Sequence, residues 1–118
     1  MIHQSGRKKL NLSGSHKRAL IRNQTITLIE KGHLKTTKAR AREVIKFAER
    51  LVTIARKGNT VTARRRAKAM LPYKESALVT LFKEIAPRYT ERPGGYTRMI
   101  KLGRRASDTS EMARVEWV

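Results

Sequence analysis

The 118-residue chain carries 28 Lys and Arg against 9 Asp and Glu, a formal net charge of +19 with a pI near 11.4. Like charges at this density repel in a compact state unless a polyanion neutralises them, so nucleic acid is the first partner class implied and an anionic membrane surface the second. The absence of Cys removes disulfides, thiolate catalysis and Cys-ligated zinc together. No apolar run approaches the ~20 residues of a bilayer span, and the basic start, Met1 to Lys9, is not followed by the apolar stretch of a secretory signal. A soluble protein of a reducing compartment is expected, with one domain at this length.

Residues 1–14 combine Gly, Ser and basic residues without apolar periodicity, and no acid precedes Glu30. They read as an extended arm that gains more from phosphates than from packing on its own protein. Ser15 suits an N-cap and Gly32 a C-cap, so the first helix is predicted over 16–31, with Ile21, Thr25, Leu28 and Ile29 on one face and Arg18 and Arg22 stacked on another. His33 to Thr37 reads as a short strand.

Ala41, Val44, Ile45, Ala48, Leu51, Val52 and Ala55 follow helical spacing across 38–57, and Gly58-Asn59 ends that helix. Lys38, Arg40, Arg42 and Lys46 load its N-terminal half with positive charge, the unfavourable end for the helix dipole. Thr60 is placed to cap a third helix running to Leu71, with Ala63, Ala67 and Met70 as a thin apolar stripe beside Arg64-Arg65-Arg66. A fourth helix is predicted at 74–86, turning Ala77, Leu78, Leu81, Phe82 and Ile85 inward and ending at Pro87. The segment from Arg88 to Gly95 is turn-forming.

After it the period changes to two. Tyr96, Arg98, Ile100 and Leu102 alternate with Thr97, Met99 and Lys101, and Ala113, Val115 and Trp117 alternate with Met112, Arg114 and Glu116. Two antiparallel strands follow, joined by a Gly103–Ser110 loop. Trp117 is expected to face the helices with Val115 and Ala113. Arg98 shares the face of Ile100, so its stem is expected to lie along apolar surface with the guanidinium reaching out. The fold class is α+β: a basic arm at 1–14, then one domain at 15–118 ordered helix, strand, three helices, two strands, with a small mixed three-stranded sheet covered by helices on one face.

No constellation for catalysis appears. His3, His16 and His33 are scattered, and no His-Glu-x-x-His pair, phosphate loop or nucleophile elbow is present. Neither enzyme activity, metal, cofactor, membrane partner nor small-molecule substrate is expected. Tyr73, Tyr89 and Tyr96 look exposed but are too few and dispersed for a single-strand stacking platform. Basic residues spread over arm, helices and turn favour a folded RNA read by shape, although composition alone leaves duplex DNA, as for a nucleoid protein, as the competing partner.

The motifs carry a family resemblance over essentially the whole chain. Met1-x-His3, Gly6-Arg7-Lys8-Lys9-Leu10-Asn11, Ser15-His16, Arg22-Asn23, Lys35-Thr36-Thr37 and Arg64-Arg65 lead to the most specific blocks, Ala86-Pro87-Arg88-Tyr89 and Gly94-Gly95-Tyr96-Thr97-Arg98. Met112-Ala113-x-Val115-Glu116 closes the series. The sequence resembles the bacterial large-subunit ribosomal protein seventeen family, departing from its usual pattern at Ile2 and Leu12. The resemblance implies a cytoplasmic structural component of the large ribosomal subunit, bound to large-subunit rRNA near the peptide-tunnel exit, with large-subunit protein thirty-two as a neighbour. Charge pattern and resemblance together nominate His3, Arg7, Lys8, Lys9, Asn11, Ser15, His16, Lys17, Arg18, Arg22, Lys35, Thr36, Lys38, Arg40, Arg64, Arg65, Arg88, Tyr96 and Arg98 as RNA-binding residues.

Overall fold

The structure, a computed structural model, describes residues 14–72 and 74–118. The arm residues His3, Arg7, Lys8, Lys9 and Asn11, and Tyr73, lie outside the described residues. The first helix, α1, runs Gly14–Lys31 and buries Ile21, Thr25, Leu28 and Ile29, the set that its apolar spacing selects. Ser15 lies inside its first turn and is therefore not the N-cap, and Gly14 belongs to the helix. Gly32 ends α1 at φ +83°, donating its N–H to the Leu28 carbonyl at 2.9 Å, a conformation that glycine adopts without the Cβ clash of other residues.

Strand β1 (His33–Thr37) leads directly into α2 (Lys38–Ala55), whose buried stripe is Ala41, Val44, Ala48, Leu51, Val52 and Ala55. Ile45, expected in that stripe, is half-buried at its edge. Helix α3 (Val61–Met70) is capped as its sequence predicts: the Thr60 hydroxyl accepts the Ala63 N–H at 3.1 Å.

The helix expected to stop at Pro87 takes a different course. Helix α4 (Glu75–Thr80) widens into a π-turn (Leu81–Ile85), where the Ala86 N–H bonds the Leu81 carbonyl, and then tightens into a 3-10 turn over Ala86–Tyr89. Pro87 has no N–H and its ring crowds the carbonyl four residues back. The shift in helical pitch moves the backbone out of that conflict, so the chain stays helical to Tyr89.

Strands β2 (Thr97–Arg104) and β3 (Glu111–Trp117) complete the three-stranded sheet. Its order is β1-β3-β2 and both pairings are antiparallel, with a register shift between Lys101 and Gly103. The α+β class and element order are as the sequence implies, but the sheet is antiparallel throughout rather than mixed. The reason lies in β3, which enters between the other two and runs against each. Ala113, Val115 and Trp117 point into the helices as expected, and the Trp117 indole N–H donates to the Leu28 carbonyl at 3.1 Å.

On β2 the inward face is Thr97 and Met99, whereas Arg98, Ile100 and Leu102 are exposed. Arg98 and Ile100 thus share a face, as parity requires, but that face is the open side of the sheet. Arg98 needs no apolar surface along which to reach solvent.

Candidate nucleic-acid interface

The antiparallel sheet and α1 hold α2 by one stripe, which leaves its other stripe in solvent. Arg42, Lys46, Arg50 and Thr53 are exposed there, with Lys57 following past the helix end. Arg42, Lys46 and Arg50 recur every four residues, so the charges stack along the axis at about 6 Å per step. Its first turn contains no acid, and the carboxylate that faces Lys38 there comes from Glu111 on β3.

Across from this stripe α1 presents Lys17, Arg18 and Arg22. They line a groove of about 430 Å³ with Lys46, Phe47 and Arg50, in which Glu43 is the one acid and sits 3.9 Å from the Lys46 ammonium. Arg50 also lines a second groove, of about 420 Å³, with Lys57, Arg66, Pro93 and Gly94. Arg50 is therefore the junction of a cationic belt running from α1 over α2 to α3 and the turn before β2.

That turn is fixed from α2. The Glu49 carboxylate accepts the N–H groups of Gly95 and Thr97, each at 3.3 Å, and the Thr97 hydroxyl at 2.9 Å. Two turns further along, where α2 ends, the Arg56 guanidinium donates to the Arg92 carbonyl and, at 3.2 Å, to the Tyr96 hydroxyl. Gly95 has φ +66°, whereas a Cβ at Gly94 or at Gly95 would meet nothing within 4 Å. The pair therefore supplies a left-handed backbone at Gly95; neither glycine is required for close approach to another part of the chain.

Among the nominated residues, Lys17, Arg18 and Arg22 join the belt directly. Ser15 and His16 are exposed on the first turn of α1. Arg64 and Arg65 are exposed on α3, and Arg88 is exposed in the 3-10 turn. Lys35 and Arg40 meet Arg105 and Asp108 in a separate polar groove of about 540 Å³. Lys38 pairs with Glu111 at 3.7 Å, and Arg98 with Glu116 at 3.0 Å on the open face of the sheet.

Two nominated residues are turned into the protein instead. Tyr96 is 0% exposed, its ring 5.2 Å from that of Tyr89 and its hydroxyl near Thr53 and Arg56. Tyr89 is likewise buried, its hydroxyl donating to the Val118 carbonyl at 2.8 Å. Thr36 is 5% exposed and accepts a 3.0 Å hydrogen bond from the Gln24 amide. None of these side chains is available to stack on or bind an external partner.

Sequence reasoning missed Arg50, Lys57 and Arg66 as a group. The signal for Arg50 was its place four residues after Lys46; Lys57 and Arg66 join it only through the packing of α3 and the turn on α2. Asp108, in the β2–β3 loop, is held well below the usual carboxylate range by its hydrogen bonds with the Arg105 guanidinium and then with the Ser110 N–H. Among the described residues no cluster of His, Asp and Glu is arranged to hold a metal, and no helix is long and apolar enough to cross a membrane.

Residues 20–118 match the family model described as ribosomal protein L17. The chain belongs to the ribosomal protein L17 family. Relatives named large ribosomal subunit protein bL17 agree over its full length: one from Fusobacterium nucleatum subsp. nucleatum is 45% identical and covered in full. One from Gemmatimonas aurantiaca is 42% identical with 98% of it covered, and one from Neorickettsia sennetsu is 40% identical and covered in full. The L17 family is a family of structural ribosomal components and not of enzymes.

Proposed function

We propose that this chain is a structural constituent of the large ribosomal subunit in the bacterial cytoplasm, where it binds and stabilises folded large-subunit rRNA. The observation that carries this reading is the cationic belt centred on Arg50, where α1, α2, α3 and the turn before β2 converge. Arginine suits the task because its planar fork grips phosphate oxygens in pairs. The two acids lining the belt's grooves are engaged: Glu43 faces Lys46 and Glu49 is bonded to the turn. The seven Lys and Arg side chains lining the two grooves outnumber those two acids, so the belt favours an external anion. Basic residues distributed over several elements suit a folded RNA recognised by its backbone and shape.

The site lies near the peptide-tunnel exit, with large-subunit protein thirty-two as its protein neighbour. These two statements rest on family membership, and the open sheet face with exposed Ile100 and Leu102 offers a surface for such a neighbour. The test is a sucrose gradient of cell extract analysed by mass spectrometry, followed by chemical cross-linking of the large subunit. The chain is expected to co-migrate with large subunits through a moderate salt wash and to cross-link to protein thirty-two. Migration with chromosomal DNA instead would overturn the reading in favour of a nucleoid protein.

A further inference from the structure

The groove between α1 and α2 differs from a plain phosphate track in what lines it. Ile21 and the half-buried Phe47 supply apolar wall, with Lys17, Arg18, Arg22 and Arg50 around it. Long basic side chains produce this combination when their alkyl stems cover the wall and their charged ends stand at the rim. A phosphate needs only the rim. The wall calls for a flat, weakly polar group that arrives attached to an anion.

From this we infer that the α1–α2 groove receives a single unpaired nucleobase of the bound RNA, set against Phe47 and Ile21, while the flanking phosphates are held by the cations around it. The inference rests on the RNA-binding reading above. The groove volume of about 430 Å³ lies in the range of about 300–1,000 Å³ typical of pockets for small organic ligands. Unpaired bases in loops and bulges are the parts of RNA free to leave the stack and lie against aromatic side chains. Charge complementarity selects this occupant over an apolar peptide, since the groove is lined by five Lys and Arg side chains and one acid, Glu43. The comparable groove between α3 and α4, lined by Leu78, Val79 and Phe82, has fewer cations, and its Lys68 is engaged by Glu75 at 3.4 Å.

The experiment measures binding of the full chain to two RNA probes, a fully paired stem and the same stem with one bulged 2-aminopurine nucleotide. Phe47→Leu is tested alongside, because it keeps an apolar side chain of similar bulk and removes the ring. The expected result is about tenfold tighter binding of the bulged stem, with a change in 2-aminopurine fluorescence. Phe47→Leu should abolish that preference, bringing the ratio of the two affinities close to one. If both stems bind equally to the unmodified chain, the nucleobase site is overturned and RNA binding stands. If neither stem binds, both readings fall. Should Phe47→Leu weaken binding to both stems equally, with unchanged circular dichroism, the ring does not read a base and the inference is overturned.

Discussion

The Glu49 carboxylate on α2 bonds Thr97 at the start of β2 twice, through the backbone N–H at 3.3 Å and the hydroxyl at 2.9 Å. With its bond to the Gly95 N–H, this one side chain joins the helix that carries the cationic stripe to the strand that follows the turn. Glu49→Ala leaves those donors without a protein partner and should cost about 1–3 kcal/mol. Thr97→Val removes only the hydroxyl bond and should cost about 1 kcal/mol. Urea denaturation checks the order; equal losses from the two variants would mean that the backbone donors find other acceptors.

Gly94 and Gly95 should behave differently. Gly95 is left-handed at φ +66°, so Gly95→Ala should destabilise by roughly 1–2 kcal/mol. Gly94 has open space at its Cβ position and no positive φ, and Gly94→Ala should be neutral or stabilise by up to about 1 kcal/mol. Thermal melts of the two variants provide the comparison.

The C-terminal hairpin divides into a core face and an open face. Trp117 is 9% exposed and hydrogen-bonded to the Leu28 carbonyl, so Trp117→Ala should cost on the order of 3–5 kcal/mol. Arg98 makes an exposed ion pair with Glu116, and Arg98→Ala should change stability by less than about 1 kcal/mol while weakening RNA binding. Parallel melting and RNA-binding measurements on both variants separate the two faces.

Helical elements were legible in the sequence because their burial follows local spacing. Thr25 and Leu28 declare the inner face of α1 by position alone, and Thr60 declares the start of α3 by its chemistry. The faces of β2 were not legible in the same way, because Met99 on one side and Ile100 and Leu102 on the other give both parities apolar residues. Tyr96 reads as exposed beside two glycines in a turn. Its burial depends on Thr53 and Arg56, some forty residues earlier in the chain, as well as on the ring of Tyr89. The candidate site follows the same rule: Arg18 and Arg22 are visible as one helix face, whereas the junction at Arg50 exists only once α1, α3 and the turn pack around α2.

Asp108 gives a pH-dependent signature in the β2–β3 loop. Its carboxyl is held below the ordinary value of 3.8 by Arg105 and by the Ser110 N–H. A depressed folded-state value means that this contact stabilises the loop at and above the ordinary carboxylate range and is lost as pH falls through the lowered value. Carboxyl carbon NMR should show Asp108 still predominantly ionised at pH 3.8, and Arg105→Ala should return it toward its ordinary titration.

If the folded body grips rRNA phosphates through the belt around Arg50, its binding must depend steeply on salt. Each phosphate neutralised contributes a slope of roughly −0.7 to −0.9 in log K against log salt. The full chain should show a steep negative slope on a large-subunit rRNA fragment, made shallower by about one contact's worth in Arg50→Gln. A flat dependence, or a slope that Arg50→Gln leaves untouched, would contradict it.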